Sequence, residues 1–215
     1  PGFVDTHHHF YQSALRNVLG NGNLRDYFRD IVLKATPAYR AEDAYIGVLS
    51  GSLRSIDAGV THVTDLSQVS NTPEHSDAMV QAFKDSGIRA VYAYSRGESK
   101  ETQYPQDAIR LRERYFSGND QLVTLAFAAA IKKEHFEFAR QQGLRIYSHV
   151  VGTLKRSSPS AVIKLGEQGL MGPDNVYIHF TGATAAEMRR VKETGGWLSI
   201  ATPIEMTMRH GLPPL

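Results

Sequence analysis

Short apolar runs return along this chain at regular intervals, each followed by a stretch of helical periodicity, and such alternation specifies βα units around a parallel sheet. The runs fall at residues 2–6, 60–65, 88–94, 122–127, 144–148, 176–180 and 197–201. Most are continuously apolar, as strands covered on both faces are. Between them the helices carry their own punctuation. Residues 44–56 place Tyr45, Val48, Leu49, Ser52 and Ile56 on one face and stop at Ala58-Gly59. Asn71-Thr72-Pro73 opens the next, with Met79, Val80 and Phe83 as its apolar stripe. A third spans residues 105–116 with Ala108, Leu111 and Tyr115 inward, and a fourth spans 132–142. Ser158-Pro159 starts a fifth with Val162 and Leu165 inside, and Thr184-Ala185-Ala186-Glu187 is a capping box for the sixth.

Spread over seven strands, 215 residues allow about 31 per unit, and eight such units make about 250, the usual size of a closed (β/α)8 barrel. The expected fold is therefore an α/β, TIM-like (β/α)8 barrel with seven βα units visible and the eighth strand absent. A doubly wound open sheet is the rival, but it normally carries a glycine-rich phosphate loop after an early strand, and none is found here. Residues 10–40 read as an elaborated loop over the catalytic face. One domain is expected over residues 1–215, incomplete at both ends, because the chain opens in strand-like sequence without an initiator Met.

Composition narrows function. With 41% hydrophobic and 21% charged residues the chain is an ordinary globular one. A net charge of +2 gives no nucleic-acid footprint. No apolar run approaches the ~18 residues needed to span a bilayer, and the expected location is the cytoplasm. Zero cysteines exclude thiolate nucleophiles and sulfur ligands together, so any metal is left to histidine and carboxylate.

The nine histidines are placed more tellingly than they are numerous. Residues two apart on a strand point the same way, so His7 and His9, at the end of the first strand, aim together while His8 points away. His149 ends the fifth strand and His179 the sixth, and barrel enzymes keep their chemistry at that end of their strands. His62, His75, His135 and His210 read as structural or surface histidines. Neutral imidazoles suit a catalytic zinc site with one position left for water, and a bound metal brings the pKa of that water toward 7. Asp65, at the end of the second strand, is the nearest carboxylate on the same rim, and it reads first as a loop cap.

The segment Pro1-Gly2-Phe3-Val4-Asp5-Thr6-His7-His8-His9 resembles the strand-one signature of the amidohydrolase superfamily. The likeness continues through Asp57-Ala58-Gly59-Val60-Thr61, Ser148-His149, Ile178-His179 and residues 196–214, most closely in the branch of cytosine deaminase, guanine deaminase and the triazine hydrolases. The resemblance implies His7, His9 and His149 as metal ligands, His179 as the catalytic residue beside the reacting water or substrate, and Gln12 as a substrate contact. It implies a divalent ion, zinc first, with iron or manganese as alternatives. Family members add a strand-eight aspartate and a flanking β-sandwich, which lie outside this chain, and a glutamate three residues beyond the strand-five histidine, where this chain has Gly152. The expected activity is metal-dependent hydrolysis of a non-peptide carbon–nitrogen bond in a cyclic amide, amidine or heterocycle. The alternatives are a dehalogenating hydrolase on the same scaffold and a catalytically inactive binding module. The partners expected are a small-molecule substrate and a second copy of the chain, with neither nucleic acid nor membrane.

Overall fold

The computed structural model describes residues 1–118, 120–152 and 158–214. Among the described residues there are seven strands: β1 (Phe3–His8), β2 (Val60–Ser67), β3 (Arg89–Tyr94), β4 (Val123–Ala128), β5 (Ile146–Val151), β6 (Asn175–Thr181) and β7 (Trp197–Ser199). All seven expected strands are present, with ends moved by a few residues. The chain divides into two compact units, residues 1–20 with 25–127, and residues 21–24 with 128–215.

In the first unit β1, β2 and β3 pair in parallel, with His8 opposite Asp65 and Ser67 opposite Tyr94. Helices α2 (Ala41–Asp57) and α3 (Pro73–Ser86) connect them, and α4 (Asp107–Tyr115) leads from β3 to β4. Helix α3 buries Met79, Val80 and Phe83 as its pattern predicts, and stops at Gly87 in the left-handed conformation (φ 70°) that glycine adopts without steric cost.

Two expectations are corrected here. Residues 10–40 are not a loop but mostly helical: a 3-10 turn (Phe10–Leu15), a short helix α1 (Leu24–Asp26), a π-helical stretch (Tyr27–Ala35) and a second 3-10 turn (Thr36–Ala38). These departures from the 3.6-residue repeat hide the segment from a periodicity search. The buried face of α2 is also rotated, to Ala44, Gly47, Val48, Gly51 and Ser52, while Ile56 is exposed. The small residues face inward because the 3-10 turn lies directly on them: a Cβ on Gly47 would stand 2.6 Å from the Tyr11 carbonyl oxygen, and one on Gly51 would meet Ser13 Oγ and Phe10.

In the second unit β5, β6 and β7 pair in parallel, joined by α6 (Pro159–Glu167) and α7 (Ala185–Glu193), with α5 (Lys133–Gln141) before them and α8 (Thr202–Thr207) after. Its core gathers Val150, Val162, Met171, Tyr177, Phe180 and Val191. The capping box that opens α7 is present, Thr184 accepting from Glu187 N at 3.2 Å and Glu187 accepting from Thr184 N at 2.8 Å. Arg140 of α5 forks onto Asp174 at 2.8 and 3.0 Å, which fastens that helix to the turn ahead of β6. Among the described residues no helix is long and apolar enough to cross a membrane.

Candidate active site

The end of β1 is set by Asp5, whose Oδ1 accepts from His7 N at 3.1 Å while Oδ2 meets His8 Nδ1 at 2.9 Å on the exposed side. His7 and His9 take the opposite side. Their Nε2 atoms lie 3.3 Å apart and their rings stand edge-on, at 88° with centroids 4.9 Å apart. His9 Nδ1 is 2.8 Å from the carbonyl oxygen of Leu66 on β2. A carbonyl only accepts, so Nδ1 carries the proton and the lone pair falls on Nε2, the nitrogen that faces His7.

Asp65, one residue before Leu66, is fully buried and accepts from Phe10 N at 2.8 Å. It thus pins the turn that leaves the histidines, as a cap would. Its other oxygen is buried without a hydrogen-bond partner, and burial pushes the carboxyl up to about 7. Gln12 is half-buried on the same turn, and its amide nitrogen donates to Tyr27 Oη at 2.8 Å and Tyr11 Oη at 3.2 Å. His75 is structural, bonded through Nε2 to the Tyr39 carbonyl oxygen at 2.8 Å and through Nδ1 to Thr72 at 2.9 Å.

In the second unit His149 lies on β5 and His179 on β6, with ring centroids 5.8 Å apart. The β5–β6 register slips after Val150, so that Val150 pairs with His179 and Val151 with Thr181. Phe180 is the extra residue. Both His179 (φ 69°) and Phe180 (φ 48°) adopt left-handed backbone, which costs a non-glycine residue ~1–3 kcal/mol. His179 Nδ1 donates to Glu205 Oε1 at 3.1 Å, and that oxygen also accepts from Ala201 N at 2.8 Å. The ring of His210 packs edge-on against His179 at 4.6 Å. Burial lowers both imidazoles to about 4, so both are neutral at physiological pH, and it raises the Glu205 carboxyl.

Within the first unit His7 and His9 present two ring nitrogens side by side, and within the second His149 and His179 lie ring to ring. Imidazole nitrogens paired in this way are donors that a divalent ion takes. Sequence reasoning did not single out Glu205 and left His210 among the structural or surface histidines. The Thr202-Pro203 pair, a helix-start signature, was the available signal.

A (β/α) strand–helix array with imidazoles at its strand ends defines the class, a TIM-like barrel fold, and solved structures share it. An adenosine deaminase from Xanthomonas campestris with bound zinc superposes on the whole chain with a TM-score of 0.80 at 20% identity, over 52% of its own length. A mutant atrazine chlorohydrolase from Arthrobacter aurescens, complexed with zinc and atraton, does so at 0.80 with 18% identity and 56% of its length. The chain belongs to the amidohydrolase family, whose model matches residues 1–210. The 5'-deoxyadenosine deaminase of Methanobrevibacter smithii is 24% identical over 234 residues, covering all of this chain and 52% of the relative. A 5-methylthioadenosine/S-adenosylhomocysteine deaminase from Acetivibrio thermocellus is 26% identical over 171 residues, 74% of this chain and 38% of the relative. The chain thus spans about half the length of the first of these relatives or less.

Proposed function

We propose that this chain supplies the metal centre of a hydrolase that cleaves an exocyclic or ring carbon–nitrogen bond of a small heterocycle. His7, His9 and His149 hold the divalent ion, zinc first and iron or manganese otherwise. The observation that carries the reading is the pair of imidazoles at the end of β1, whose Nε2 atoms lie 3.3 Å apart, one of them oriented by a backbone carbonyl. Bound there, the ion supplies Lewis-acid activation of water at neutral pH. His179, neutral and buried, accepts a proton beside the reacting group, and Gln12, anchored on Tyr27, contacts the substrate. A cytoplasmic setting belongs to the same reading, as does a small-molecule substrate.

Relatives named as deaminases of adenosine derivatives favour an aminated purine-like ring. One observation favours a second leaving group. A Cβ on Gly152 would stand 2.3 Å from the Thr181 carbonyl oxygen, so the residue three beyond His149 has no room for a carboxylate side chain. Proton delivery to a ring nitrogen from that position is thereby closed, which fits halide release, the chemistry named for the chlorohydrolase neighbour.

The test is metal analysis after chelator-free purification. Near-stoichiometric zinc, iron or manganese is expected in the wild type and in His135→Ala, and its loss in His149→Ala. Metal absent from the wild type would leave only an inactive binding module. A panel of aminopurines and chlorotriazines, scored for ammonia and for chloride, separates the two leaving groups.

A further inference from the structure

Glu205 is completely buried on a helix of six residues, α8, and capping does not account for it. A capping carboxylate can serve Ala201 N from the surface, whereas burying one strips away the hydration that stabilises its charge. One oxygen takes both donors, Ala201 N and His179 Nδ1, and Oε2 has no hydrogen-bond partner among the described residues. His179 is 4% exposed, and its backbone is left-handed where it meets this carboxylate. A strained backbone, a buried carboxylate and a buried imidazole therefore converge on one contact.

We infer that Glu205 is a positioning residue that holds His179 in the Nδ1–H tautomer and keeps Nε2 as the proton-accepting nitrogen, an inference that rests on the hydrolase reading above. A neutral imidazole has one donor and one acceptor nitrogen, and a carboxylate fixed at Nδ1 settles which is which. The same carboxylate orients the ring and stabilises the imidazolium that forms when Nε2 takes a proton. The proton leaves the reacting water as its oxygen bonds to the substrate carbon, and it is taken by the Nε2 lone pair that the Glu205 contact preserves. His210, edge-on to His179, limits the tilt of the ring from its other side.

The experiment uses zinc-loaded protein labelled with 15N-histidine, with long-range 1H–15N spectra assigned by the loss of signals in His179→Asn. The wild type is expected to show His179 as the Nδ1–H form. In Glu205→Leu the ring shifts to the Nε2–H form or a mixture, and kcat on the best substrate of the panel falls roughly 10- to 100-fold with KM within about twofold, the range seen when such an orienting partner is lost. Glu205→Gln retains an acceptor oxygen and the tautomer, but its Nδ1 proton resonance moves upfield as a charge-assisted bond becomes a neutral one. A folded Glu205→Leu protein that keeps the Nδ1–H form overturns the inference. Should that variant not fold, an unmoved Nδ1 proton in Glu205→Gln overturns it as well. Zinc content, measured separately, decides the hydrolase reading, since the tautomer is read without turnover.

Discussion

Gly47 sits in the middle of a 17-residue helix, where glycine costs ~1 kcal/mol relative to alanine. Gly47→Ala should on propensity alone stabilise the protein by that amount. The structure predicts the opposite sign. The added Cβ would lie 2.6 Å from the Tyr11 carbonyl oxygen and 3.0 and 3.1 Å from its Cα and carbonyl carbon, and these backbone atoms cannot rotate away as a flexible side chain would. The carbonyl is also held by Tyr39 Oη at 3.0 Å. Overpacking of this kind costs ~1–3 kcal/mol, so after the helix gain the net destabilisation runs up to about 2 kcal/mol. For a chain of this size that is a fall of up to roughly 8 °C in Tm. Gly20→Ala is the matched control, since nothing lies within 4 Å of its added Cβ, and its Tm should hold or rise slightly. Paired thermal denaturation of the two variants measures the difference. A Gly47→Ala protein as stable as Gly20→Ala would refute the close packing of the 3-10 turn on α2. Because Tyr11 follows His9 by two residues, zinc retention should weaken in Gly47→Ala as well.

Thr184→Ala removes the cap of α7 and should cost ~0.5–2 kcal/mol, read as a Tm shift. Asp174→Asn tests pH dependence: Arg140 holds the Asp174 carboxyl below the usual carboxylate range, so its stabilisation is complete above that range and fades as pH falls through the lowered value. The stability gap between wild type and Asp174→Asn, followed by urea unfolding, should therefore shrink on acidification, and a gap that grows would reverse the argument. Phe180→Ala should cost ~3–5 kcal/mol, because that side chain is fully buried in the β6 core. It should also disturb the His179 imidazole signals more than Val162→Ala does, although both variants empty the same core.

The strand–helix alternation was legible because each strand is a compact apolar run and each helix has marked ends. Gly87 and the Thr184 box stop and start helices by local chemistry that needs no tertiary information. His7 and His9 were legible for a similar reason, since period-two geometry alone puts them on one side. What escaped depended on partners distant in sequence. The buried face of α2 is chosen by the turn that lies across it, so glycines replace the large apolar residues a moment analysis seeks. Residues 10–40 hide in 3-10 and π geometry. Glu205 went unremarked because nothing local signals that a histidine 26 positions earlier in the chain will bury against it.

The placement of His179 carries the deepest difference between reading a strand and folding one. By strict alternation Tyr177 and His179 would share a face, and Tyr177 packs with Val162 of α6 and Val191 of α7 on the helix-covered side. Phe180 nevertheless joins Tyr177 in that same cluster, three positions away instead of two. The register slip between Val150 and Val151 shows how: the bulge absorbs one residue and inverts the phase of the strand beyond it. His179 is thereby freed from the helix-facing layer and turned to Glu205, while Phe180 fills the apolar position that the imidazole would have occupied. Two left-handed residues at ~1–3 kcal/mol apiece are offset by seating a phenylalanine in the core, worth ~3–5 kcal/mol on truncation. The balance is close enough that the strain persists only because the apolar side chain is there to hold it, which makes Phe180 the structural counterpart of His179's orientation.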